Sequence, residues 1–226
     1  MTTSPQPPAP SRFALYVFDL DGTLVDSRRD LADSANELLV ECGGSPLSEE
    51  HVGSLVGDGA ATLVARAFAA SGLPQPADAL ARFLAIYDAR LLNHTRPYTG
   101  IPEVLEALGR RAALAVLTNK PLAATRRILD ALDLSRVFSE SAVLGGDGPQ
   151  PRKPDPAGLC QLATHSRTPM SSTLLIGDSL VDLRTARAAG AHICLARYGF
   201  GFEGICDDDL TSHDRTIASP RELLEL

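Results

Sequence analysis

Lysine is nearly missing from this chain: Lys120 and Lys153 stand against 19 arginines. Arginine does not replace a compact ammonium where a point charge is needed, so the two lysines that do occur hint at such a need. Cysteine is sparse as well. Cys42, Cys160, Cys194 and Cys206 are scattered with no C-x-x-C pair, which indicates neither a zinc site nor a disulfide framework. Free thiols in a reducing cytosol are the expectation. No apolar run is long enough to span a membrane. The Pro- and Ser-rich segment Met1 to Pro10 lacks the apolar core of a signal peptide, and residues 1–11 read as a disordered tail. A basic excess is also missing. The net charge of −7 argues against a general nucleic-acid binder but leaves room for a small, locally positive phosphate pocket. What is present is a 44% hydrophobic chain of 226 residues, enough for one full domain plus an insertion.

Short apolar runs alternate with helical patterns. Strands are expected at 13–18, Ala113–Leu117, Ala142–Leu144, Thr173–Ile176, His192–Leu195 and Thr216–Ala218, each mostly continuous as in buried parallel sheets. Helices are expected near 101–110, 121–132, 155–165 and 180–189, with Pro102 and Pro121 where a first turn tolerates proline. This βαβ series implies an α/β fold, a Rossmann-like doubly wound parallel sheet. The rhythm breaks between Asp26 and Pro97, where only helical patterns occur, near 28–42, 48–55, 60–71 and 77–92. Such a connection is far longer than an ordinary βα loop. It is read as an inserted all-α-helical cap over 27–97 and a candidate lid, with the core at 12–26 and 98–226.

Four strand ends carry chemistry. Asp19 and Asp21 follow the first strand, at the edge where open α/β sheets bind ligands. Two such close carboxylates need a cation or a shared proton. Thr118 and Asn119 follow the next strand, where a hydroxyl and backbone N–H groups at a helix start suit an anion, although a Thr-Asn pair is also an ordinary cap. Lys153, between Arg152 and Pro154, can neutralise both a phosphate and a carboxylate nucleophile. Asp178 and Asp182, in Gly177-Asp178-Ser179-Leu180-Val181-Asp182, can reach or support a metal held by Asp19. An all-carboxylate set completed by water suits Mg²⁺. Acidic residues at a helix start also serve the dipole alone; four sites at successive strand ends point beyond that.

These residues resemble the haloacid dehalogenase superfamily of phosphohydrolases. The D-x-D-G-[TV], hydroxyl, lysine and G-D-x-x-x-D pattern is matched from about Phe13 to Pro220. Phe18-Asp19-Leu20-Asp21-Gly22-Thr23, Val56-Gly57-Asp58-Gly59-Ala60 and Leu117-Thr118-Asn119-Lys120-Pro121 are most similar to the phosphoglycolate phosphatase group. The resemblance implies an Mg²⁺-dependent phosphomonoester hydrolase. Asp19 would be the nucleophile of an aspartyl-phosphate intermediate, and Asp21 the general acid and then base. Asp19, the Asp21 carbonyl and Asp178 would bind the metal with Asp182 in support. Thr118, Asn119 and Lys153 would hold the phosphoryl group.

Several alternatives can be sorted on residues. A dehalogenase has no leaving alcohol to protonate and no use for Asp21. A Schiff-base phosphonate hydrolase needs a cap lysine, and the segment between Asp26 and Pro97 has none. A phosphosugar mutase, a pyrophosphatase and a non-catalytic phosphate-binding domain stay open. The expected partner is a small phosphorylated metabolite, which the resemblance implies to be 2-phosphoglycolate or a similar compound, handled by a cytoplasmic monomer or homodimer with no nucleic acid or membrane involved. Selection of that substrate is assigned to the cap, through Gly57, Asp58, Gly59 and Arg66, with Arg28, Arg29 and His94 as further candidates for an anionic tail. Tyr198-Gly199-Phe200-Gly201 is a candidate pocket wall. His51, His165, His192 and His213 show no metal-ligand spacing.

Overall fold

A computed structural model of the chain describes residues 12–226; the expected tail at 1–11 lies outside them. In chain order the elements are β1 (Leu15–Phe18), β2 (Val25–Asp26), α1 (Arg28–Glu41), α2 (Glu49–Ser54), α3 (Ala60–Ala70), α4 (Ala79–Arg90), β3 (Arg96–Pro97) and α5 (Ile101–Gly109). They continue with β4 (Ala113–Leu117), α6 (Leu122–Ala131), β5 (Val143–Leu144), α7 (Ala157–His165), β6 (Thr173–Gly177), α8 (Leu180–Ala189), β7 (His192–Ala196) and β8 (Arg215–Ile217).

The main sheet has six strands in the order β5-β4-β1-β6-β7-β8, and every pairing in it is parallel. Its continuous apolar strands follow from being covered on both faces. Side chains alternate along a strand, so Tyr16 and Phe18 enter one core while Leu15 and Val17 enter the other. Leu114 and Val116 join the first core, as do Leu174 and Ile176. Ala115, Leu117 and Leu175 join the second. The first core is capped by α5 and α6, through Val104, Leu108 and Ile128, and the second by α7 and α8, through Leu159, Leu162 and Leu183.

β1 lies between β4 and β6, which places a topological switch at its carboxyl end. The chain departs to β4 and β5, then returns past β1 to build β6, β7 and β8. The crevice above the β1 end is therefore lined by the loops after β1, β4 and β6. The helices α1 to α4 stand between β2 and β3, two-residue strands that pair antiparallel with Val25 opposite Pro97. The apolar sides of α1, α3 and α4, through Leu31, Leu63, Phe68 and Phe83, are continuous with the first core. Asp30 ties the end of the helical block back to its start, its carboxylate accepting from the backbone of His94 and Thr95 and from the Thr95 hydroxyl at 2.7 Å.

Candidate active site

The turn after β1 is shaped by close approach. Gly22 has φ +83°, a conformation that favours glycine, and a side-chain carbon there would lie 1.9 Å from Asp178 Oδ2. The turn thus presses Asp19 and Asp21 against the β6 loop. Asp19 is 8% exposed and its Oδ1 sits 2.8 Å from Lys153 Nζ. The same ammonium donates to Asp182 Oδ1 at 2.6 Å. Burial alone would lower the Lys153 pKa; the carboxylates of Asp182 and Asp19 outweigh it and hold the ammonium above the usual lysine value.

Asp21 is held from two sides. Ser27 donates to its Oδ1 at 2.5 Å, and Lys120 Nζ lies 3.1 Å from its Oδ2. Lys120 also donates to the Tyr87 hydroxyl at 2.7 Å and stands 4.4 Å from that ring's centre. Burial pushes the Tyr87 phenol up to about 12, so the group is neutral at physiological pH. Both lysines of the chain are therefore buried, and each is paired with one of the two β1 aspartates. The sequence reading named Lys153 among the site residues and left out Lys120, Tyr87 and Ser27.

Asp19, Asp178 and Asp182 each offer a carboxylate oxygen within 4.8 Å of one another. Asp182 is engaged on both oxygens, by Lys153 and by the Ser179 hydroxyl at 2.7 Å, closing a capping box at the start of α8. Asp178 Oδ2 accepts from Gly201 N at 2.8 Å. Burial, then the Asp182 and Asp19 charges, raise the Asp178 pKa well above the carboxylate range, and burial raises Asp19 to about 6 against the pull of Lys153. Three buried carboxylates facing one ammonium have the donor chemistry of a site for a hard divalent cation. Asp21's carboxylate stands outside this cluster, on the Lys120 side.

A cavity of about 230 Å³ opens over these groups. Asp19, Asp21, Asp178, Thr118 and Asn119 line it, as do Gly57 and Gly59 from the helical block and Phe200 and Gly201 after β7. Thr118 is buried at the end of β4, and its hydroxyl accepts from Lys120 N at 3.2 Å. Asn119 Nδ2 donates to the carbonyls of Gly57 and Lys153 at 2.9 and 3.0 Å, joining the helical block to the loop after β5. Arg66 and Asp58 are not brought to the cavity. They pair with each other at 2.5 Å, and Arg66 also donates to the Leu55 carbonyl. Arg28 is paired with Glu49 and Arg29 with Asp33, and neither they nor His94 line the cavity. The sequence holds one signal for the missed lysine, the scarcity of its type.

The family described as Haloacid dehalogenase-like hydrolase matches residues 16–196. A phosphoglycolate phosphatase of Rhodospirillum rubrum is 42% identical over 198 residues, covering 84% of this chain and 81% of that one. A phosphoglycolate phosphatase of Caulobacter vibrioides is 36% identical, covering 85% and 82%. Among solved structures, a protein from Haemophilus somnus described as a predicted phosphoglycolate phosphatase superimposes with a TM-score of 0.86 at 31% identity, over 95% of this chain and 98% of that one.

Proposed function

Since the chain belongs to the haloacid dehalogenase-like hydrolases and is a phosphatase of that family, we propose that it is an Mg²⁺-dependent phosphomonoester hydrolase acting through an aspartyl-phosphate. The observation that carries this reading is that two aspartates lining one cavity, two residues apart, are each paired with a separate buried lysine. Asp19, held by Lys153, attacks phosphorus in this reading. The bond to the ester oxygen breaks as Asp21 delivers a proton to it. In the second half-reaction Asp21 takes a proton from the water that attacks the aspartyl-phosphate, releasing phosphate and restoring Asp19. Ser27 and Lys120 fix the Asp21 carboxyl for both transfers.

Thr118 and the Asn119 backbone, with Lys153, take the phosphoryl oxygens. Asp19, the Asp21 carbonyl and Asp178, with Asp182 in support, would hold Mg²⁺, which when bound neutralises charge on the phosphoryl group. The substrate in the relatives' names, 2-phosphoglycolate, is the first to offer. Four free cysteines support the expected reducing, cytoplasmic setting.

The test is phosphate release with Mg²⁺ and with EDTA, beside Asp19→Asn. Turnover should require Mg²⁺ and vanish in the folded variant, and acid-quenched wild type should yield a phosphorylated peptide containing residue 19. Undiminished turnover by pure Asp19→Asn would remove the nucleophile assignment.

A further inference from the structure

The side chains that line the cavity bring it one full positive charge. Among the described residues no arginine or histidine lines it, and Lys120 is its lysine. Away from the floor the wall is apolar, through Val56, Leu63, Phe83, Leu84 and Leu91. An acid tail that enters must therefore meet Lys120, because a carboxylate taken out of water is costly without a charged partner. Lys120 has a donor to spare. An ammonium carries three N–H groups. Two are used, on Asp21 Oδ2 at 3.1 Å and on the Tyr87 hydroxyl at 2.7 Å. Since an ammonium only donates, the Tyr87 oxygen accepts, and the phenol's own hydrogen has no partner among the described residues. Tyr87 lines the same cavity and is 4% exposed. Two donors are thus left over, on two atoms 2.7 Å apart. The two oxygens of a carboxylate match such a pair, and charge on both sides strengthens the bonds.

The position of the pair agrees with its chemistry. In the proposed reaction Asp21 protonates the ester oxygen, so that oxygen sits within hydrogen-bond reach of the Asp21 carboxyl. In 2-phosphoglycolate the carboxylate carbon follows the ester oxygen by two bonds of about 1.5 Å each. Lys120 Nζ is 3.1 Å from the same Asp21 carboxyl. A two-carbon acid therefore reaches Lys120 from the pose that the acid step requires.

We infer that Lys120 and Tyr87 together receive the carboxylate tail of a phosphorylated short hydroxy acid and set the preference for such a substrate. The inference rests on the phosphatase reading of the same site. It gives the helical block its part in selection through Tyr87 of α4, in place of Arg66 and Asp58, which pair with each other.

The experiment compares 2-phosphoglycolate with its carboxamide, which keeps the length and shape of the tail without the charge, using the full chain in Mg²⁺. The ratio of their kcat/KM values does not depend on how much enzyme is active. A general loss at Asp21 divides out of it, because both substrates are alkyl esters that need the same proton. The wild type should favour the acid by about 30-fold or more. Tyr87→Phe and Lys120→Met should each cut that ratio by about tenfold or more. Tyr87→Phe keeps the ring and the ammonium, so the ratio stays readable there if Lys120→Met loses turnover altogether. A wild-type ratio near one, or a measured ratio that either substitution leaves unchanged, overturns the inference, while release from both esters leaves the phosphatase reading intact. Release from neither ester overturns the phosphatase reading, and the inference with it.

Discussion

Tyr87→Phe removes one oxygen from the helical block and tests whether that block positions the acid. The phenol accepts from Lys120 at 2.7 Å, and Lys120 in turn lies 3.1 Å from Asp21. Phenylalanine keeps the ring, which stacks on Phe83 at 5.9 Å and faces the ammonium at 4.4 Å. What is lost is one hydrogen bond from a charged donor, about 1.5–3 kcal/mol at most. For a chain of this length that lowers Tm by at most about 12 °C, so the variant folds. If half of the loss appears as misplacement of Asp21, kcat falls about three- to tenfold, because about 1.4 kcal/mol is a decade in rate. The loss should depend on the leaving group. Alkyl phosphates need the ester oxygen protonated as it departs; p-nitrophenyl phosphate leaves as a stable phenolate and needs little help. Steady-state kinetics on both should show the about three- to tenfold drop with ethyl phosphate and a change of less than about twofold with the aryl ester. An equal drop on both would assign Tyr87 a purely structural part, and no drop on either would sever the link from the helical block to Asp21.

Two further outcomes follow from the catalytic floor. Gly22→Ala puts a carbon 1.9 Å from Asp178 Oδ2 at a φ of +83°, so phosphate release should be lost along with about 2 kcal/mol or more of stability; near-wild-type kinetics would show that the turn yields. Burial raises Asp19 to about 6 and raises Asp178 above its ordinary value, so the metal-free folded chain holds protons that the unfolded chain releases, and its stability falls as pH climbs from near 4 through 6. A divalent cation binds the deprotonated carboxylates, so Mg²⁺ should raise Tm more at about pH 8 than at about pH 5; equal shifts against EDTA controls would contradict this.

The elements legible in the sequence are those whose signal is local. Leu15–Phe18 and Thr173–Gly177 are short apolar runs bounded by turns, and they are central strands. The helical patterns between Asp26 and Pro97 correspond to α1 to α4 within a residue or two at each end. Val25–Asp26 and Arg96–Pro97 were missed as strands because two residues carry no period. The motif residues after β1, β4, β5 and β6 converge because parallel topology puts all four strand ends on one edge. Lys120 has no site role in the sequence because Thr118-Asn119-Lys120, taken alone, reads first as a helix cap. Its burial depends on Tyr87, 33 residues away. Arg66 looked like an anion partner because nothing local reveals that Asp58 turns toward it across the first two turns of α3. Leu63 and Phe83 each sit in the apolar stripe of its own helix, with Ala67 and Tyr87 four residues on, and periodicity alone does not separate a pocket wall from a core.

The scarcity of lysine gains its meaning from charge balance at the cavity floor. Asp19, Asp21 and Asp182 lie within ion-pair distance of the two ammonium groups, and Asp178 offers an oxygen within 4.8 Å of those of Asp19 and Asp182. Unpaired charges are expensive to bury, so a floor with a deficit of two positive charges is stable only if carboxylates are protonated or a cation is supplied. The upward shifts of Asp178 and Asp19 run toward the first solution, for Asp19 only below about pH 6; the oxygen donor set suits the second. The two lysines also divide the floor. Lys153 joins the nucleophile candidate to the α8 anchor Asp182, and Lys120 joins the acid candidate to the helical block through Tyr87. An arginine at either place would bring a planar, wider head to a contact that now accepts a single nitrogen from two sides. That geometry suits lysine at these two positions in a chain that uses arginine everywhere else.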